Sequence, residues 1–179
     1  MKTLYLLRHA KSDWVTFFSS NSTVSDHDRP LSKRGFADCK KISNYFTENK
    51  VQLDLVLISS ALRAQETFKE LKLYLDATSN NVDQALYTFS MERVIDVVRK
   101  CDNCNERLLL IGHNPAFQEL AISLSDDKTI SSLKGELESK FSTAALVRLD
   151  LNIDSWSQIS PNCANLIHFV RPKDFKIDK

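Results

Sequence analysis

Short apolar runs of strand length alternate along this chain with segments of helical periodicity. Residues 3–7, 53–58 and 108–111 are such runs, and in the segments between them apolar residues recur every three or four positions. Strands of four to eight residues that alternate with longer helical segments are typical of βαβ units. This alternation predicts an α/β fold with three layers, α/β/α, in which helices cover both faces of a mostly parallel sheet.

The boundaries of these elements carry their own sequence signals. A polar residue that can cap a helix precedes each of four helical segments: Ser32, Ser60, Ser90 and Asn114. Pro115 suits the first position of the last of these helices, where its missing N–H costs nothing. The pattern also predicts a short strand at 82–87 and closing strands at 144–151 and 165–170. No repeat or linker interrupts it, so we expect residues 1–179 to form a single domain.

Composition excludes several functions. The 179 residues are 42% hydrophobic and carry a formal net charge of +1 at pH 7. A near-neutral chain offers no basic field for nucleic acid or for an anionic membrane. The apolar runs are far shorter than the ~18 residues that a membrane-spanning helix needs. We therefore expect a cytoplasmic protein that binds neither nucleic acid nor membrane.

The four cysteines do not indicate a metal site. Cys101 and Cys104 have the spacing of a zinc knuckle, but no second pair completes the four ligands that structural zinc requires. Cys101 and Arg107 match the C-x5-R spacing of cysteine phosphatases, yet this segment lacks glycine and contains two acidic residues that would repel phosphate. We interpret all four cysteines as free thiols, and we expect no metal and no cofactor.

Arginine and histidine side chains follow three of the predicted strands. Arg8 and His9 come directly after the first run, and His113 follows the third. Arg63 lies in the first helical turn after the second run. Because ligands bind beyond the carboxyl ends of parallel strands, we expect these four side chains to lie close together. Guanidinium groups match phosphate oxygens and an imidazole can act as a nucleophile, so the sequence predicts a metal-independent site for a phosphoryl group.

Four short motifs around these residues resemble one protein family. They are R-H-A-K-S at the end of the first strand, D-R-P-L-S-K-R-G before the first helix, S-S-x-x-R-A-x-x-T after the second run, and G-H-N-P after the third. Taken in this order, they resemble the histidine phosphatase superfamily, and within it the small SixA-type phosphohistidine phosphatases. The resemblance implies a phosphoglycerate-mutase-like fold.

The resemblance also implies a two-step transfer through a phosphohistidine enzyme. His9 would match the nucleophile, and Arg8, Arg63 and a cationic His113 would complete the catalytic pocket. Arg29, in the D-R-P-L motif, would bind the substrate phosphate together with Arg8, Arg63 and His113. Such groups stabilise charge on phosphoryl oxygens, and the loss of one commonly costs on the order of 10²–10³ in rate.

One group that many relatives possess is missing here. They place a glutamate after the third strand to protonate the leaving oxygen, but residues 85–89 contain no carboxylate. An imidazole is easier to protonate and expel than an alkoxide, so the sequence favours a nitrogen–phosphorus bond. The alternative is a proton supplied by one of three aspartates: Asp13, Asp26 or Asp28. The polar segment 19–28 is typical of a mobile loop, and whether it closes over the site stays open.

We therefore interpret the chain as a phosphatase in signal transduction. Its predicted substrate is phosphohistidine on a protein, such as a phosphorelay domain. Two alternatives remain: a general phosphatase of small phosphomonoesters, and a module that binds a phosphorylated ligand without turnover. A mutase is disfavoured because the chain has no long insertion to enclose a sugar phosphate. An enzyme would lose phosphate release in His9→Ala, whereas a binding module would show no turnover in either form.

Overall fold

A computed structural model describes residues 1–15, 24–126 and 131–175 of the chain. Within these ranges the strands are β1 (Lys2–Arg8), β2 (Gln52–Ser59), β3 (Asp76–Asp83), β4 (Arg107–Gly112), β5 (Leu146–Leu151) and β6 (Ala164–Val170). The α-helices are α1 (Lys33–Glu48), α2 (Leu62–Leu71), α3 (Met91–Arg99), α4 (Ala116–Leu124) and α5 (Ser131–Ser139). Short 3-10 helices occupy Lys72–Tyr74, Gln84–Leu86, Trp156–Gln158 and Pro172–Asp174.

The described strands form one sheet in the order β3-β2-β4-β1-β5-β6. Strands β3, β2, β4 and β1 are parallel, whereas β5 runs antiparallel to its neighbours β1 and β6. Residues of α1 and α2 join the core on one face, and residues of α3, α4 and α5 join it on the other. The predicted three-layer α/β fold with a mostly parallel sheet is confirmed.

The central strand β1 is buried on both of its faces. Leu4 and Leu6 pack into the core shared with α3, α4 and α5, while Tyr5 and Leu7 pack into the core shared with α1 and α2. A buried leucine contributes about 1.5–3 kcal/mol relative to an exposed one. Since both faces are packed, the carboxyl end of β1 is a rigid support for the residues that follow it.

The sheet register places three strand ends at the same level. Leu7 of β1 and Ile58 of β2 both pair with Ile111 of β4. Arg8, the last residue of β1, then lies beside Gly112, the last residue of β4. Residues that follow these strands are therefore neighbours in space although they are far apart in sequence.

The start of α1 fixes the segment that follows β1. Ser32 caps α1, as predicted, by accepting a hydrogen bond from the Gly35 N–H at 3.2 Å. The Ser32 hydroxyl also donates to the Lys11 carbonyl oxygen at 2.9 Å. A Cβ atom on residue 35 would collide with that same Lys11 oxygen, so only glycine allows this approach. The backbone after His9 is consequently held against α1.

One predicted strand is wrong in detail. The strand predicted at 82–87 is instead the end of β3 followed by a 3-10 turn at Gln84–Leu86. Most of β3 is exposed and polar because it is the edge strand, so no apolar run marked it.

The predicted helix caps have mixed outcomes. Ser90 caps α3 by accepting from the Arg93 N–H. Ser60 does not cap α2, because its hydroxyl bonds to His27 Nε2 at 3.0 Å. Pro115, not Asn114, is the N-cap residue of α4, so the cap predicted at Asn114 lies one residue before the observed one. None of the helices in the described ranges is long and apolar enough to span a membrane.

Candidate active site

Adjacent strand ends bring the predicted site residues together. The His9 N–H, one residue beyond β1, donates to the Gly112 carbonyl oxygen at the end of β4 (3.0 Å). His113 is the next residue after β4, and Arg63 lies in the first turn of α2. One pocket of about 210 Å³ is lined by all five residues selected from the sequence: Arg8, His9, Arg29, Arg63 and His113.

His9 is a buried imidazole with a defined tautomer. Its Nδ1 lies 2.8 Å from the Ala10 carbonyl oxygen, which can only accept, so Nδ1 carries the proton. Nε2 accepts a hydrogen bond from Arg63 Nε at 3.3 Å. Burial and the neighbouring His113 lower the pKa of His9 well below 6.5, the hydrogen bond to Ala10 opposes them, and the charges of Arg63 and Arg8 lower it further. The lone pair that a nucleophile requires is therefore present on Nε2 at neutral pH.

His113 packs against His9, with the two ring centroids 5.1 Å apart. Its Nε2 lies 2.8 Å from Ser59 Oγ at the end of β2. Its Nδ1 is buried and has no hydrogen-bond partner among the described residues. Burial and the charge of Arg63 lower the pKa of His113 to about 3. This low pKa favours a neutral ring in this structure, and a cationic His113 beside a bound phosphoryl group stays a prediction.

Three guanidinium groups concentrate positive charge beside these two imidazoles. Arg29 and Arg63 are 3% and 2% exposed. Arg8 Nη1 donates to the Phe141 carbonyl oxygen at 2.7 Å, whereas Arg8 Nε has no hydrogen-bond partner within the described ranges. Burial and the nearby Arg63 lower the pKa of Arg8. Positive charges held this close together, with donor capacity left over, favour a bound anion.

Asp26 is the only carboxylate among the described residues that line the pocket. Its Oδ1 accepts from Arg29 Nη2 at 2.7 Å, and its Oδ2 accepts from Arg63 Nη2 at 3.1 Å. Oδ2 also accepts from the Tyr87 hydroxyl at 2.9 Å. Burial would raise the pKa of Asp26, but these hydrogen bonds and the arginine charges outweigh it and lower the pKa to about 2. Asp26 is therefore ionised and occupies donors of two arginines.

The other two aspartates that the sequence left open do not line the pocket. Asp28 is exposed and bonds to His27 Nδ1 at 3.0 Å. Asp13 Oδ1 accepts the Val15 N–H at 2.9 Å. Of the loop predicted at 19–28, residues 19–23 lie outside the described part of the chain. Residues 24–28 are described, and Asp26 forms part of the pocket wall.

Aromatic side chains surround the mouth of the pocket. Trp14 stacks on Arg29, with the guanidinium carbon 3.6 Å from the ring centroid. Tyr87 and Phe89 lie edge-on to His113, at centroid distances of 5.4 and 6.3 Å. Phe89 lines the pocket but is 62% exposed. A large exposed apolar ring at a pocket mouth is placed to contact a ligand.

Sequence reasoning missed Ser59, Tyr87 and Phe89. Ser59 ends β2 at the level of Arg8, so the strand-end argument that selected Arg8 already pointed to it. Tyr87 and Phe89 follow a 3-10 turn that apolar periodicity does not predict. The sequence did not distinguish Asp26 from the other two candidates, because two of its partners, Arg63 and Tyr87, are distant in sequence.

The cysteines take no part in this pocket. Cys101 follows α3 in a turn before β4, and burial raises its pKa to about 11. Arg107, the arginine of the C-x5-R spacing, is paired with Asp54 at 3.0 Å. All four cysteines are free thiols, as predicted. In the described residues, no group of three histidine, cysteine or acidic side chains is arranged to hold a metal ion.

Two imidazoles and three guanidiniums line one pocket beyond the carboxyl edge of the parallel strands, and this set of groups suits a phosphoryl group. The guanidiniums can donate hydrogen bonds to the oxygens of a phosphoryl group, and a nitrogen of a neutral imidazole can attack its phosphorus. The chain belongs to the histidine phosphatase superfamily (branch 1), whose family model matches residues 4–94. This membership confirms the resemblance drawn from the four motifs and supports a phosphatase that acts on a phosphorylated substrate.

Known proteins are similar to this chain over almost its whole length. An uncharacterised protein of Mycobacterium tuberculosis is 29% identical over 168 residues, which cover 93% of this chain and 100% of that protein. The structure of the protein histidine phosphatase SixA complexed with tungstate has a TM-score of 0.73 at 21% identity, covering 96% of this chain and 98% of that one. A mycobacterial glucosyl-3-phosphoglycerate phosphatase complexed with VO3 has a TM-score of 0.59 at 14% identity, covering 93% and 97%. At these identities the structural likenesses establish the fold.

Proposed function

We propose that this protein removes phosphate from phosphohistidine on a protein, through a covalent phosphohistidine at His9. The observation that carries the proposal is the state of His9 in the pocket. Its ring is neutral, Nδ1 is fixed by Ala10, and Nε2 lies among arginines and beside His113. A nucleophile on a rigid strand end, surrounded by donors for the phosphoryl oxygens, is what phosphoryl transfer needs.

In the first step the bond between the leaving nitrogen and phosphorus breaks, and a bond from His9 Nε2 to phosphorus forms. Arg8, Arg29 and Arg63 bind the non-bridging oxygens, on which negative charge is spread. The proposal gives His113 a donor role at Nδ1, since Ser59 can donate to its other nitrogen. In the second step water attacks the phosphorus, the bond to His9 breaks, and inorganic phosphate and a proton are released.

The charge of Asp26 supports phosphohistidine rather than an alkyl phosphate as the substrate. An alkoxide leaves only when it receives a proton, and a carboxyl with a pKa of about 2 has none to give at neutral pH. A phosphorylated imidazole can carry a proton on its other ring nitrogen and can leave as a neutral ring. Trp14 and the exposed ring of Phe89 at the pocket mouth suit a flat aromatic leaving group.

The second candidate is a phosphatase of small phosphomonoesters. The observation that favours it is the position of Asp26, whose carboxylate lines the same pocket as His9. A phosphate dianion that draws Arg29 and Arg63 away from Asp26 would raise the pKa of Asp26 and allow it to carry a proton. The glucosyl-3-phosphoglycerate phosphatase with the same fold acts on such a substrate class.

The test compares a phosphohistidine peptide with glycerol phosphate, an alkyl ester, by release of inorganic phosphate. We expect kcat/KM for the peptide to exceed that for the ester by at least about 10², the usual contribution of a general acid. Rapid quench should trap acid-labile phosphate on the wild type and not on His9→Asn. His168→Asn is the matched control, because His168 lies in β6 and bonds to Tyr45 outside the pocket.

Three results would contradict the proposal. Equal kcat/KM for the two substrates would favour the phosphomonoester phosphatase. Full turnover by His9→Asn would exclude His9 as the nucleophile. Binding of phosphate by the wild type, with no turnover of either substrate, would indicate a recognition module instead of an enzyme.

A further inference from the structure

A second groove, of about 440 Å³, lies beside the catalytic pocket. It is bounded by the first half of α1, by the segment after α5, and by the 3-10 helix Pro172–Asp174. Thr143 lines both the groove and the catalytic pocket, so the two are adjacent. We call it the basic groove, because five cationic side chains line it: Arg34, Lys41, Lys140, Arg171 and Lys173.

Three of these five cations form no ion pair with a carboxylate in the described part of the chain, although the charge of Lys41 acts on Asp38. Arg171 is paired with Glu136 and Asp174, and Arg34 lies 3.5 Å from Asp38. No such ion pair involves the three lysines of the groove: Lys41, Lys140 and Lys173. The whole chain has a formal net charge of only +1, so this excess of positive charge is local. Unpaired ammonium groups on one surface attract an anionic partner to that surface.

The wall of the basic groove also leaves one acceptor unused. Asp38 is 5% exposed, and its Oδ2 receives no hydrogen bond from any described residue, although it forms the ion pair with Arg34. Burial raises the pKa of this carboxyl despite the opposing charges of Arg34 and Lys41. A backbone N–H or a hydroxyl of a bound chain segment would satisfy this oxygen.

We propose that the basic groove binds an acidic segment of the phosphorylated protein while its phosphohistidine enters the adjacent pocket. The inference rests on the proposed function and adds the character of the substrate, a protein with Asp or Glu residues near the phosphohistidine. A small phosphate ester would be confined to the pocket of about 210 Å³, whereas a protein chain reaches past Thr143 into the groove. The lysines supply the charge that matches such a segment, and Asp38 supplies an acceptor for its backbone.

The test uses two synthetic phosphohistidine peptides that differ only in the flanking residues. One carries Asp and Glu, and the other carries Asn and Gln at the same positions. Exposed pairs are individually weak, so for three lysines together we expect kcat/KM to be about tenfold higher for the acidic peptide at low salt. This preference should disappear at high salt, where surface charges are screened.

Charge reversal identifies the surface that is responsible. The triple variant Lys41→Glu, Lys140→Glu, Lys173→Glu should lose the preference through a higher KM, with kcat retained. Replacing the same three lysines with glutamine is a milder second variant, should the reversal fail to fold. The matched control reverses three exposed lysines that do not line the groove: Lys69, Lys72 and Lys100. It should keep the full preference.

Turnover and binding together separate failure of the groove from failure of the proposed function. Equal kcat/KM for both peptides, or a preference that survives both lysine variants, would overturn the groove while leaving the phosphatase intact. Binding is measured in parallel by fluorescence anisotropy of the labelled peptides with His9→Asn. If the wild type hydrolyses neither peptide but tighter binding of the acidic peptide depends on the three lysines, the proposed function fails and the groove stands.

Discussion

Asp26→Asn removes the carboxylate that occupies Arg29 and Arg63, and we expect inorganic phosphate to bind more tightly as a result. Asp26 accepts hydrogen bonds from both guanidiniums, at 2.7 and 3.1 Å. A phosphate ion that binds the same donors must first displace this carboxylate. An asparagine of the same size keeps the shape of the pocket but removes the competing charge.

The magnitude follows from the pKa of Asp26. The shift from the ordinary 3.8 to about 2 corresponds to about 2 kcal/mol of attraction between the carboxylate and its surroundings. The side chain is 42% exposed, so solvent screening reduces this to about 1 kcal/mol. A phosphate ion gives up that attraction when it replaces Asp26 in the wild type. The inhibition constant of phosphate should therefore fall about fivefold in Asp26→Asn.

The assay is product inhibition by inorganic phosphate of the hydrolysis of a phosphohistidine peptide, measured for the wild type and for two variants. Asp28→Asn is the matched control. It removes the same charge two residues away, at a side chain that bonds to His27 and Ser25 and does not line the pocket. An unchanged or weaker phosphate inhibition in Asp26→Asn, or an equal tightening in Asp28→Asn, would refute competition between Asp26 and phosphate for the arginines.

Three further predictions concern stability and the support of the site. The pKa values of His9 and His113 are lowered in the folded protein, so below pH 6.5 the unfolded chain binds more protons than the folded one. The free energy of unfolding measured in urea should therefore be about 2–3 kcal/mol lower at pH 5.5 than at pH 7.5. Gly35→Ala should cost about 1–3 kcal/mol in the same experiment, because the new Cβ meets backbone, whereas Gly135→Ala in the open part of α5 should be neutral or stabilising. Ser59→Ala should lower kcat about tenfold through loss of the hydrogen bond that orients His113, as steady-state kinetics would show.

The sequence was sufficient for the layers of the fold and for the convergence of the site. Buried strands such as β1 and β4 are marked by apolar runs because both of their faces are covered, and parallel strands align their carboxyl ends. The sequence alone therefore places Arg8, His9 and His113 at one edge of the sheet. The edge strand β3 could not be found in this way, because a strand that is exposed and polar leaves no hydrophobic pattern.

Other features of the site depend on tertiary packing. Asp26 differs from Asp28 in having a side chain that reaches Arg63 and Tyr87, 37 and 61 residues further along the chain. The neutral state of His113 likewise follows from burial and from the arginines around it. Sequence shows that a histidine is present, but its protonation depends on the density of packing and on charges brought from other elements. The cationic His113 was predicted from the sequence, whereas the pKa of His113 depends on its surroundings in the fold.

Phosphate binding and proton transfer depend on the same groups in this pocket, namely Asp26, His9 and His113. Asp26 neutralises part of the charge of Arg29 and Arg63, while His9 and His113 stay uncharged. A phosphoryl dianion entering this volume raises the pKa of every group that faces it. The groups can then retain protons that they lack in this structure, but only after the substrate is bound. An ester whose leaving oxygen must be protonated depends on that induced change. A protonated phosphoimidazole brings its own proton, and this supports the proposed nitrogen–phosphorus substrate over an ester.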